Sequence, residues 1–180
     1  MPDVVLKEIS PLASVSAFAS DGIRIVEQGG FTLTQVAGFG KAFEKDLAAV
    51  IGKLPAKVGV AQVNDFCTVM RVAPQQFWCV GTAALPDLPG TCLATSLSSA
   101  RCRIKLEGEK VRTVLSRAAA VDFSAKAFKP GQFVMTGIHH TPVLIHCTTA
   151  GAFHAYALRT FALGVWEWLV DAAEGLSPSR

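Results

Sequence analysis

Residues 136–171 read TGIHHTPVLIHCTTAGAFHAYALRTFALGVWEWLVD and carry all four histidines of the chain, followed by its most apolar helical pattern. The β-prone runs 133–140 and 142–148 predict a strand pair, and 151–173 predicts a closing helix. On a helical wheel Thr160, Glu167 and Asp171 form one narrow polar stripe with Gly164 beside it. Leu158, Ala162, Val165, Trp166 and Leu169 point the opposite way, while Phe161 and Trp168 flank one side and Leu163 and Val170 the other. So wide an apolar arc exceeds what one sheet covers. Two readings fit it. Either the helix is buried on two sides, by its own domain and by a second lobe or subunit with Trp166 and Trp168 as anchors, or it is the central helix of a monomer.

The histidines, His139, His140, His146 and His154, open a second choice. A strand pair could bring His140 and His146 onto one face with Cys147 nearby, and zinc accepts such nitrogen and sulfur donors. No carboxylate stands at ligand spacing and no HExxH or CxxC accompanies them. A structural or interface role is the simpler reading. His139 and His140 therefore join Phe161, Trp166 and Trp168 as candidate subunit-interface residues, and no residue is assigned to a metal, a cofactor or catalysis.

Upstream, β-prone runs at 23–28 and 31–36 flank Gly29-Gly30, a pair that predicts a hairpin turn. Phe43, Leu47, Val50 and Ile51 then recur at helical spacing until Gly52 and Pro55 stop them. Strands are expected at 66–72 and 77–80, joined through Ala73-Pro74-Gln75-Gln76, and again at 92–97. Residues 102–107 alternate strictly, with Cys102, Ile104 and Leu106 on one face and Arg103, Lys105 and Glu107 on the other. After Gly108, the spacing of Val111, Val114, Leu115 and Ala118 predicts a helix ending near Asp122. Strand-rich blocks, each followed by a helix, give an α+β fold of antiparallel sheets covered by helices on one face.

With 180 residues, 51% hydrophobic and 17% charged, the chain suits one compact domain over 1–180, or two small lobes sharing a core with a boundary at 85–90, where Pro86, Pro89 and Gly90 cluster. Residues 175–180 read as a frayed tail. The charged fraction lies well below the usual quarter, which points to surface hidden in a partner. The longest apolar stretch, 161–166, is too short to cross a bilayer, so no membrane association is expected. Met1-Pro2-Asp3 opens no signal-peptide pattern, and the expected location is cytoplasmic. Basic residues are dispersed at a net charge of +3, which argues against a nucleic-acid surface. Cys67, Cys79, Cys92, Cys102 and Cys147 form no CxxC pair and read as buried thiols.

Reactive constellations are scarce. The sequence holds no GxGxxG, P-loop or GxSxG. Glycines in Val36-Ala37-Gly38-Phe39-Gly40 could cradle an anion before the helix or simply make a tight turn. Ser116 and Ser124 lack triad partners.

Several motifs nevertheless resemble one family. Ser10-Pro11-Leu12-Ala13 looks like the signature that begins the gamma subunits of heterotetrameric sarcosine oxidases, and Gly52-Lys53-Leu54-Pro55 is similar to their helix-ending motif. Phe128-Lys129-Pro130-Gly131-Gln132-Phe133, Thr136-Gly137-Ile138-His139-His140-Thr141-Pro142 and residues 153–168 follow the family pattern in one collinear run. That resemblance implies the folate-binding fold of the glycine-cleavage T protein and YgfZ-like proteins. Ile104-Lys105-Leu106-Glu107-Gly108 leading into residues 111–115, then Asp122, resembles the strand, glycine and helix found there.

In that family sarcosine is oxidised at a flavin to an imine, and the one-carbon unit passes to tetrahydrofolate or leaves as formaldehyde. By the same resemblance FAD, NAD and covalent FMN belong to the alpha and beta chains and zinc to the small delta chain, so this chain is expected to bind none of them. It implies a non-catalytic, structural gamma subunit of an oxidoreductase complex in sarcosine catabolism, with alpha, beta and delta partners. The equivalent subunit of N-methylglutamate dehydrogenase is an alternative, since substrate choice is made on other chains. A stand-alone folate-binding or aminomethyltransferase-like protein is another, and a metal-binding regulator using His140, His146 and Cys147 a third.

Overall fold

Alternation of side chains sets the architecture: in most strands one set of alternate residues meets helices and the other set meets a second sheet. The structure, a computed structural model, describes residues 9–176. The readings made on Met1-Pro2-Asp3 and on residues 177–180 of the tail lie outside the described residues. Elements follow in the order β1 (Phe18–Ser20), β2 (Ile23–Glu27), β3 (Thr32–Gly38), α1 (Phe43–Ile51), β4 (Ala61–Val63), β5 (Cys67–Ala73), β6 (Gln76–Gly81), β7 (Cys92–Ser96), β8 (Arg101–Glu107), α2 (Val111–Ala118), β9 (Phe133–Ile138), β10 (Thr141–Thr149), β11 (Ala152–Leu158) and α3 (Ala162–Glu174).

Two antiparallel sheets result, one ordered β1-β2-β8-β11-β10-β9 and the other β4-β5-β6-β3-β7. Ile104, Leu106, Ile145, Cys147, Phe153 and Ala155 of the larger sheet pack with Val114 and Leu115 of α2 and with Val165, Trp166 and Leu169 of α3. Val36, Val69, Phe77 and Cys79 of the smaller sheet pack on Phe43, Leu47 and Ile51 of α1. Between the sheets lies a third apolar layer of Leu33, Met70, Trp78, Val80, Phe133, Leu144 and Tyr156. Helices therefore cover the outer face of each sheet, and the inner faces meet. The α+β reading holds.

Polar ties hold the layers in register. Arg71 of β5 clamps α1 through Glu44, with an ion pair at 2.6 Å, and also donates to the Pro55 and Pro74 carbonyls. Its guanidinium keeps the Glu44 carboxyl below the usual carboxylate range. Arg112 of α2 donates to the carbonyls of Phe123 (2.5 Å), Phe128 (2.9 Å) and Ala150 (3.1 Å), pinning the stretch between α2 and β9. At one corner the sheets join directly, through Ala61 N–H to Gly131 C=O at 2.7 Å and Phe133 N–H to Gly59 C=O at 2.9 Å.

Three expectations need correction. Residues 23–28 and 31–36 do not form a hairpin: β2 pairs with β1 and β8, whereas β3 pairs with β6 and β7. Gly29-Gly30 is where the chain leaves one sheet for the other, and non-local partners decide what the local turn signal cannot. The closing helix does not begin at Gly151; β11 occupies its predicted first half, held between β8 and β10. Flanked on both edges and buried on both faces, that strand has the uniform apolarity that reads as a helix. Finally, α2 stops at Ala118 rather than near Asp122.

The short strands β1 and β4 have no forerunner in the sequence reading. Residues 85–90 connect β6 and β7 within the smaller sheet, and the chain crosses between sheets at residues 28–31 and 97–101.

Candidate subunit interface

At the β9–β10 turn, Ile138 pairs with Thr141, which leaves His139 and His140 as a two-residue loop. His139 takes φ 51°, left-handed backbone that costs a side-chain-bearing residue about 1 kcal/mol. The turn sets its imidazole on the exposed indole of Trp168, with ring centroids 4.5 Å apart and planes 21° from parallel. His140 lies 4.2 Å from His139 by the same measure. A histidine and tryptophan cluster thus stands where the β9–β10 turn meets the solvent-facing side of α3.

The five interface candidates divide. Trp168 is 45% exposed and Phe161 53% exposed, and both His139 and His140 are exposed. Trp166 is 5% exposed and belongs to the chain's own core, beside Val165 and Leu169. Helical spacing explains the split, since residues 162, 165, 166, 169 and 173 face the sheet while 163, 164, 167, 168 and 171 face outward. Leu163, 39% exposed, joins the outer set without having been singled out. Beside Trp168, Gly164 leaves a groove of about 210 Å³ edged by Glu167 and Asp171.

His146 and His154 sit elsewhere. They pair across β10 and β11 on the inner face of the larger sheet, ring centroids 6.5 Å apart. Burial pushes His146 down to about 4, and burial with the nearby charges of Arg103, His146 and Lys105 does the same to His154. Both rings are therefore neutral at pH 7. Cys147 points to the opposite face, into the helix-covered core, with Arg112 Nη2 3.7 Å from its sulfur. His140, His146 and Cys147 thus occupy a turn and two opposite faces. Among the described residues no group of three His, Cys, Asp or Glu side chains is placed to hold a metal ion.

The other chemical candidates have local explanations. A Cβ on Gly38 would fall 2.1 Å from the Phe43 ring, so the glycine serves the close approach of α1 to β3. Ser124 N–H bonds the Asp122 carboxylate at 2.8 Å in a turn, and Ser116 is exposed on α2. Cys67, Cys79, Cys102 and Cys147 are buried and Cys92 half-buried, all free thiols.

One feature was not foreseen. Trp78, Tyr156, Leu144, Leu158, Met135 and Arg101 line an apolar slot of about 240 Å³ at the open end of the inter-sheet layer. Arg101 lies with its guanidinium 5.2 Å from the Trp78 ring centre, and its Nε is buried with no hydrogen-bond partner among the described residues. Arg101 also borders a polar cup of about 360 Å³ shared with Ser10, Glu27 and Arg159. Residues from strands far apart in sequence build this slot, so no local motif announces it.

Back-to-back antiparallel sheets with helices on the outer faces define the class, and solved structures with this arrangement can be named. Compared by sequence, the chain matches no protein-family model and no curated protein. Compared by structure, it is similar to a chain of the heterotetrameric sarcosine oxidase from Corynebacterium sp. U-96, with TM-score 0.84, 22% identity, 96% of this chain covered and 98% of that one. It is also similar to the glycine cleavage system aminomethyltransferase T from Bartonella henselae, with TM-score 0.62, 16% identity, 83% of this chain covered and 45% of that one. At these identities the likeness establishes the fold. The resemblance read from the sequence therefore extends to the whole architecture.

Proposed function

We propose that this chain is a structural, non-catalytic subunit of a heterotetrameric, flavin-dependent sarcosine oxidase, in the position of the gamma subunit. The observation that carries the reading is near-complete coverage in both directions against a chain of such an oxidase. Support also comes from the exposed aromatic and histidine cluster on α3, which suits a permanent interface rich in anchoring side chains. In this reading His139, His140, Phe161 and Trp168 meet a partner, while Trp166 stiffens the helix from beneath. FAD, FMN, NAD, zinc and tetrahydrofolate belong to alpha, beta and delta chains, and sarcosine is demethylated there. The equivalent role in N-methylglutamate dehydrogenase follows from the same geometry with a different substrate on the partner chains. No helix among the described residues is long and apolar enough to cross a membrane.

A native pull-down from the source cells, with mass spectrometry and a visible absorption spectrum, tests the proposal. Two large flavin-bearing chains and a small zinc-binding one are the expected partners; a colourless, partner-free protein would overturn the reading. The competing reading, a stand-alone folate-binding protein, draws on the likeness to aminomethyltransferase T and on the slot beside Arg101. Calorimetric titration of the purified chain with tetrahydrofolate separates the two, and no binding is expected.

A further inference from the structure

Arg101 stands where the apolar slot and the polar cup meet, and it borders both. We infer that the slot binds a small apolar monocarboxylate, with its carboxylate on the Arg101 guanidinium and its hydrocarbon part against Trp78, Leu144 and Tyr156. The site belongs to this chain alone and does not depend on the proposed assembly.

Strand β8 places the cation there. Cys102, Ile104 and Leu106 enter the helix-covered core, so alternation sends Arg101 to the opposite, inner face, where Leu158 of β11 lies across from it. Its guanidinium sits over the Trp78 ring, 5.2 Å from the centre. A guanidinium that meets a ring through its face keeps its in-plane N–H groups free, and a carboxylate accepts these two at a time. Arg24, Arg71, Arg103, Arg112, Arg117 and Arg159 each donate to an oxygen of the chain. Arg101 makes no hydrogen bond or ion pair among the described residues, and its Nε is buried without a partner. Burial lowers its pKa from the usual arginine value, as expected of a charge that has lost water and gained no counter-ion. Glu27, the carboxylate of the cup, is taken by the Ser10 hydroxyl and the Cys102 thiol. With Arg159 the cup therefore holds two cations against one anion.

Size and walls select the ligand. Trp78, Leu144 and Tyr156 are buried in the chain's own inter-sheet layer, so the recess is complete without a partner chain. The Trp78 indole N–H already bonds Gln35 Oε1 at 3.2 Å, which leaves only its ring for apolar contact. At about 240 Å³ the slot falls below the roughly 300–1,000 Å³ that drug-sized ligands fill, too small for a molecule as long as tetrahydrofolate. A neutral apolar molecule would leave Arg101 unpaired, and a phosphate would press its remaining charge against apolar walls. One ring or short chain bearing one carboxylate satisfies both.

Calorimetric titration of the purified full chain with phenylacetate tests the site, with phenylacetamide as its uncharged counterpart. Saturable one-to-one binding of the acid is expected, with a Kd of ~1 mM or below for about ten non-hydrogen atoms, and at least tenfold weaker binding of the amide. Arg101→Gln should weaken the acid at least tenfold without lowering the thermal midpoint, since it removes a charge that has no partner. Arg101→Lys, which keeps the charge and loses the planar fork, should fall between the two. In proton NMR spectra the indole N–H signal of Trp78 should shift on binding while those of Trp166 and Trp168 stay. No saturable binding, equal affinity for acid and amide, or wild-type affinity in Arg101→Gln overturns the inference. A shift confined to Trp168 also overturns it, by placing the acid on the solvent-facing side of α3. The pull-down decides the subunit reading separately, so either can fail alone.

Discussion

Acidification should destabilise this fold in a window set by two histidines rather than by its carboxylates. His146 and His154 have pKa values near 4 in the folded chain against an ordinary 6.5. Between those values the unfolded chain binds protons that the folded chain excludes, so stability is full above pH 6.5 and falls as pH drops toward 4. His146 is 5% exposed and its Nδ1 lacks a partner among the described residues, so its full shift applies. A change of this size amounts to about 3 kcal/mol for His146 alone across the window. Protonating one ring repels the other across the 6.5 Å between their centroids, so the folded chain resists the second proton more than the first and both rings contribute to the loss. The carboxylates held below their ordinary range, Glu44, Glu107, Asp21 and Asp122, lose their contribution only below about pH 4.5. Urea unfolding at half-unit steps from pH 8 to 5 therefore isolates the histidines. Wild-type stability should fall by about 1.4 kcal/mol per pH unit below pH 6 for each histidine that titrates alone, and His146→Leu should remove about half of the slope, leaving the part due to His154. A wild-type curve flat between pH 7 and 5, or a His146→Leu curve as steep as wild type, would refute the reasoning.

Other substitutions probe the remaining arguments. Trp168→Ala should weaken assembly by about 2 kcal/mol or more while leaving turnover per flavin in the assembled fraction unchanged; Trp166→Ala, in the core, should instead destabilise the isolated chain by about 3–5 kcal/mol. Arg112→Ala strands the carbonyls of Phe123, Phe128 and Ala150 and should cost about 2–4 kcal/mol by chemical denaturation, with Arg112→Lys restoring only part because one ammonium cannot span the three. Gly108→Ala should lower stability by at least about 3 kcal/mol, since φ is 127° and a Cβ would fall 2.3 Å from the Gly22 carbonyl oxygen. At Gly30, where φ is 66° and the space is open, the same change should cost only about 1 kcal/mol; equal losses in thermal melts would contradict the steric argument.

Where a segment's partner lies on one face only, its sequence is legible. The strict alternation of residues 102–107 marks β8, and the spacing of Val111, Val114 and Leu115 marks α2. Legibility fails where tertiary context overrides the local pattern. Residues 152–158 are apolar on both faces because the two faces meet different layers, and nothing local distinguishes that strand from a helix. Gly29-Gly30 carries a hairpin signal, yet β2 finds its partner in β8, with Arg24 and Glu107 bonded across 83 residues. Within the interface candidates, helical spacing separates Trp166 from Trp168 once the sheet-facing side of α3 is known. The contact of His139 with Trp168 depends on a turn conformation that composition does not encode.

The first and last strands of the described residues belong to the larger sheet, and residues 31–97 build the smaller sheet between these two visits. During synthesis the smaller sheet has all its strands once β7 emerges, while β2 waits for β8. At about 5–20 residues per second the gap between Arg24 and Glu107 lasts roughly 4–17 s on the ribosome. Entry and exit of the nested segment lie side by side, since Gln28 N–H bonds the Arg103 carbonyl at 2.8 Å. Residues 31–97 are therefore a nested unit with adjacent ends, bound to its host sheet through the shared apolar layer as well as at the two crossings.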